Sequence, residues 1–161
     1  MLPCPVRDPS WRPSRAAITP APTPSPKTPT VWQLTATLTP DWWIDDGTHP
    51  PGIKGASGRF SATLAVTAAG LLNWKLTYRD LCKPVVDILI QIGRAPRLLL
   101  LGDDSDPSPC AGSISGEYRI LPFQHVGLID ELTGGKTLLS VFVDRVDRAG
   151  AIRGAISATM R

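Results

Sequence analysis

From Val31 onward, apolar and polar residues alternate without a break. Trp32, Leu34, Ala36 and Leu38 fall on one side of the count, and Gln33, Thr35, Thr37 and Thr39 on the other. Successive side chains of a strand point to opposite faces, so this period of two defines a half-buried strand, apolar inward and hydroxyl-rich outward. Arg59 to Val66 repeats the pattern with Phe60, Ala62, Leu64 and Val66 inward. After a turn at Gly70, Leu72, Trp74, Leu76 and Tyr78 form a third inner face.

Further apolar runs complete the set. Val85 to Ile92 is apolar on both faces, as expected near the middle of a sandwich. Arg97–Leu101, Ser113–Ile120, Thr137–Val143 and Ala151–Ala158 supply the remaining strands. One short helix is expected at Val126–Leu132, where Val126, Leu128, Ile129 and Leu132 share a face and Gly134-Gly135 stops the helix. Closely spaced strands with one brief helix predict an all-β fold, an antiparallel sandwich or barrel of immunoglobulin-like or superoxide-dismutase-like type.

The first 30 residues read differently. They hold nine of the 17 prolines, including Pro20, Pro22, Pro24 and Pro26 in alternation. Proline fixes φ and lacks an N–H, so residues 1–30 are expected to form a disordered tail or linker, 31–158 the folded domain, and 159–161 a C-terminal end. The tail also holds the charge excess. Arg7, Arg12, Arg15 and Lys27 face Asp8 alone, while the other 131 residues carry 13 basic and 13 acidic side chains. A balanced domain has no excess to attract a phosphate backbone, which argues against nucleic acid as a partner. No apolar run reaches the roughly 20 residues of a membrane span.

Cysteine and histidine are sparse. Cys4, Cys82 and Cys110 form no C-x-x-C pair, and His49 and His125 lie far from any cysteine. That spacing argues against a local zinc site, and the sequence implies no cofactor. Cys82 and Cys110 can pair across two loops if the chain is exported, leaving Cys4 odd. No apolar h-region of 7–15 residues follows Met1-Leu2-Pro3.

The end of the chain brings a resemblance. Leu138 to Val143 is an apolar strand, a polar turn follows, and then come Gly150-Ala151-Ile152-Arg153-Gly154 and a last apolar strand. This resembles the closing hairpin of the CHRD domain, the repeat named after chordin, which typically ends in G-x-I-R-G. Trp32–Leu38, Gly58–Leu64, Leu72–Tyr78 and Cys110–Gly116 resemble other segments of that family in the same order. The resemblance implies a non-catalytic binding or structural module, outside the cell or at its surface, with an unidentified protein or cell-surface partner. A cytosolic interaction protein is the alternative that the N-terminus favours.

Many members of that family carry A-H-I-H-x-G. Here Ile88-Leu89-Ile90-Gln91-Ile92-Gly93 stands in its place, and Phe142 takes the usual histidine position of the closing hairpin. If relatives bind metal through those imidazoles, this chain lacks the ligands. A metal-dependent enzyme of the superoxide-dismutase-like type is therefore the disfavoured alternative, and no catalytic or metal-binding residue is assigned.

Other candidates each have a plainer reading. Trp42 and Trp43, in a loop from Pro40 to Ser57 with Asp45, Asp46 and His49, form a candidate partner-binding loop or an end plug of the sandwich. Asp103, Asp104 and Asp106 offer hard oxygens for calcium but lack the EF-hand pattern, so a solvated turn is expected. Arg153 between glycines is expected to lie across a sheet and bond carbonyls or a carboxylate. His125 has no partner at triad-like spacing. Ser115 in Gly112–Gly116 sits one position late for a nucleophile elbow, and no helix follows. Thr133–Thr137 runs from helix to strand, the wrong order for a phosphate loop.

Overall fold

A computed structural model describes residues 27–42, 52–92, 95–100, 103–104, 110–121, 127–143 and 150–161. The strands of the period-two segments form as expected: β1 (Thr30–Leu38), β2 (Ser57–Val66) and β3 (Gly70–Arg79). They pair antiparallel in sequence order. β4 (Asp87–Ile92), β5 (Ala95–Leu100), β6 (Asp103–Asp104), β7 (Ala111–Ile120), β8 (Thr137–Phe142), β9 (Gly150–Ala155) and β10 (Ser157–Met160) follow.

Two antiparallel sheets pack as a sandwich. The large sheet has the order β10-β1-β2-β3-β7-β6, and the small sheet β5-β4-β8-β9. Their inner faces meet in one core. Leu34, Leu38, Phe60, Leu64, Leu72, Trp74 and Leu76 come from the large sheet; Ile88, Ile90, Leu98, Leu139, Val141 and Ile152 come from the small one. β4 lies inside its sheet, between β5 and β8, as its apolar run suggested.

Three details depart from the sequence reading. β6, a two-residue strand paired with β7, falls in the acidic segment read as a solvated turn. The helix α1 spans Leu128–Thr133, starting after Gly127, whose φ of 78° a helix interior does not accept. Val126, the expected start, lies outside the described residues. Leu128 and Leu132 are buried, and Ile129 packs against the same core.

The largest departure is the last strand. Ala151–Ala158 is two strands in different sheets, β9 in the small and β10 in the large, with Ile156 at the corner. The corner is invisible to periodicity. Ile152, Gly154 and Ile156 all stay buried through the change of sheet, so the alternation never breaks. β10 also runs two residues past the expected domain end at 158, and the Arg161 N–H donates to the Val31 carbonyl at 3.0 Å.

At this corner the two sheets are joined by backbone. The Thr39 N–H donates to the Arg153 carbonyl at 3.0 Å, and the Arg153 N–H returns a bond to the Thr39 carbonyl at 2.9 Å. One residue on, β9 passes against β1 so closely that a Cβ on Gly154 would lie 2.1 Å from the Thr37 carbonyl oxygen and 3.0 Å from Leu38 Cδ2. Glycine is required there because the obstacle is backbone and cannot rotate aside. Gly154→Ala is expected to cost about 3 kcal/mol, the upper part of the overpacking range. Urea denaturation checks this; a loss under about 1 kcal/mol would mean that the two strands separate freely.

Candidate functional site

The chain's most motif-like segment, Gly150–Gly154, resolves into packing roles. Ala151 is fully buried, and its carbonyl accepts the Ile53 N–H at 3.0 Å. Ile152, also fully buried, sits over Gly58 of β2, where a Cβ would approach Ile152 Cδ1 to 2.8 Å. Arg153 points to the other face. Its Nε–H donates to Ser140 Oγ, directly opposite on β8, at 2.8 Å. Gly150 pairs with Phe142 beside a register shift, and Gly154 is the close approach described above.

Cys82 and Cys110 form a disulfide with 28 residues of sequence separation. It sits where β3 leaves the large sheet and β7 re-enters it, beside the pair Arg79–Ala111 and the bond from the Leu81 N–H to the Cys110 carbonyl at 3.2 Å. The chain between them builds β4, β5 and β6. The turn places Asp80 and Cys82 at φ of 59° and 50°, left-handed values that few residues other than glycine adopt. Cys4 lies outside the described residues.

Trp42 ends a 3-10 turn, Pro40–Trp42, that packs beside β9. Trp43, Asp45, Asp46 and His49 lie outside the described residues. The described ends of this loop converge: a Cβ on Gly52 would lie 2.8 Å from both the Pro40 Cα and the Ala151 carbonyl oxygen.

The positions without imidazole lie on the outward side of the small sheet. Leu89 stands between Leu99 of β5 and Ser140 of β8, Gln91 opposite Leu138, and Phe142 opposite Asp87. Leu89, Leu138 and Phe142 are half-buried, and Leu99 is exposed. Among the described residues, no three His, Cys, Asp or Glu side chains group as metal ligands. Asp106 and His125 lie outside the described residues. Ser115 is exposed on a strand, opposite Lys75, and not at a strand-to-helix elbow. Thr133–Thr137 is a helix exit: the Gly134 N–H bonds the Asp130 carbonyl at 2.8 Å, and Gly135 has φ of 73°.

The surface that sequence reasoning passed over is the outward face of the large sheet. Its register sets polar side chains in rows across neighbouring strands. One runs Ser157, Thr35, Ser61, Lys75, Ser115; the next runs Thr159, Gln33, Thr63, Asn73, Glu117; a third runs Thr37, Arg59, Thr77, Ser113. Thr63 Oγ1 approaches Gln33 Oε1 at 3.5 Å, and Arg79 Nε donates to Ser57 Oγ at 2.9 Å. Shallow grooves between these rows are lined by hydroxyls, amides and the cations Arg59, Lys75 and Arg79. The sequence signal was the outward half of each alternation.

Replacing both bridging cysteines by alanine is expected to lower stability by about 3.5 kcal/mol, from the loop entropy returned to the unfolded chain, read as a drop in urea midpoint. Arg153→Ala removes the donor to Ser140, whose side chain is 1% exposed; it should cost about 1–3 kcal/mol. A stability equal to the parent chain would return Arg153 to the list of functional candidates.

Comparison of the chain with models of known families, with curated proteins and with solved structures found no match.

Proposed function

We propose that this chain is a non-catalytic binding or structural module of CHRD type that works outside the cell or at its surface. The observation that carries the reading is the Cys82–Cys110 bridge. Disulfides form and persist in oxidising compartments and are rare in the cytosol. This one closes the segment that crosses between the sheets, a place where a covalent tie limits opening of the sandwich. The resemblance of Gly150–Gly154 and the segments before it to that family supplies the rest of the reading. Binding is assigned to surface and not to a cleft: the open, hydroxyl-rich face of the large sheet offers a broad area on rigid strands.

Non-reducing peptide mapping by mass spectrometry of protein isolated from its host tests this. The expected result is a Cys82–Cys110 cross-link. Three free thiols would replace the reading with that of a cytosolic interaction protein.

A further inference from the structure

The centre of the large sheet's outward face holds a charge arrangement that packing does not require. Arg59 of β2 stands opposite Thr77 of β3, and Lys75 of β3 stands opposite Ser61 of β2, so the two cations are diagonal neighbours. Such positions lie roughly 7–8 Å apart, within reach of long side chains. Both residues are exposed, and among the described residues neither has an ion pair or a side-chain hydrogen bond. Two like charges side by side repel, and an anion between them would relieve that repulsion.

We propose that this face binds an acidic polysaccharide whose uronate carboxylates are spaced along the polymer. A carboxylate sits between Arg59 and Lys75, and sugar hydroxyls exchange hydrogen bonds with Thr35, Thr37, Ser61 and Thr77, which line the same groove. The assignment rests on the binding-module reading above and names its ligand class. Charge complementarity supplies the anion: the guanidinium fork of Arg59 matches a carboxylate, and Lys75 adds a second positive charge. Hydroxyl side chains both donate and accept, which suits a ligand rich in hydroxyls. Strands about 4.8 Å apart repeat these groups across a flat surface, as an extended polymer requires.

The same face disfavours nucleic acid. The aromatic rings of these central strands turn inward, with Phe60, Trp74 and Tyr78 only 2%, 3% and 5% exposed, so none offers a stacking platform for bases. Glu117 on β7 stands diagonal to Lys75 on the side away from Arg59, so anionic contacts are confined to the Arg59 side of Lys75.

The test is a fluorescence-anisotropy titration of labelled oligogalacturonate with the full chain, beside neutral dextran oligomers and a single-stranded DNA of similar length. Arg59→Ser with Lys75→Ser is expected to weaken oligogalacturonate binding at least tenfold with an unchanged thermal midpoint. Neutralising Arg7, Arg12 and Arg15 together should change it less than twofold. Dextran should bind at least tenfold more weakly than oligogalacturonate, as should DNA. The proposal is overturned if the double variant binds like the parent, if the tail variant alone loses binding, if DNA binds as tightly as the uronate, or if no uronate binding occurs. Absent binding alongside an intact Cys82–Cys110 cross-link would sink this ligand while leaving the extracellular module in place.

Discussion

The whole sandwich hangs on one close passage of backbone past backbone. At the corner of the two sheets, β9 runs so near β1 that the Thr37 carbonyl fills the space of a side chain at position 154. Two further hydrogen bonds between Thr39 and Arg153 hold the strands there. Because that approach is permitted, Ile152 can sit over Gly58 and Ile156 can cross into the large sheet. The chain then pairs β10 with β1. Displacing β9 would separate the sheets, open the core over Leu38, and free β10 from β1.

The same geometry divides the molecule's exterior. The outward side of the small sheet mixes half-buried Leu89, Leu138 and Phe142 with Asp87, Gln91, Ser140 and Arg153. The outward side of the large sheet is rows of hydroxyls with cations set among them. An antiparallel sheet with one face in solvent ordinarily shows this second kind of surface, so polarity alone says nothing of function. Like charges at diagonal positions, with no ion pair among the described residues, are different, because folding gains nothing from them.

Legibility from sequence tracked the physics of each signal. β1, β2 and β3 were legible because each buries one face only, which writes a period of two into the sequence. β4 was legible from its length of apolar residues. The corner at Ile156 was not, because a strand that changes sheets keeps the same residues facing the core. β6 has two residues and no period at all. The helix start was misplaced because Val126 continues the apolar face while Gly127 interrupts the backbone. At the level of sites, Arg153 was expected to bond carbonyls or a carboxylate across its sheet, and its Nε–H donates to the Ser140 hydroxyl; the Cys82–Cys110 pairing read as an option that depended on export. Arg59 and Lys75 could not be read together, since 16 positions of sequence and one strand register separate them. Each alone is an ordinary solvated strand residue.

The pairing of β10 with β1 has a consequence in time. Trp32 to Thr35 find their partners at Ser157 to Met160. A ribosome that has made β1 must complete the remaining strands before the large sheet can gain that neighbour. Until then one edge of β1 offers unpaired N–H and C=O groups to any other chain nearby. Contacts between such distant segments make folding slow, and they extend the interval in which a nascent chain is open to capture or mispairing. A domain wired in this way assembles as a whole and not strand by strand.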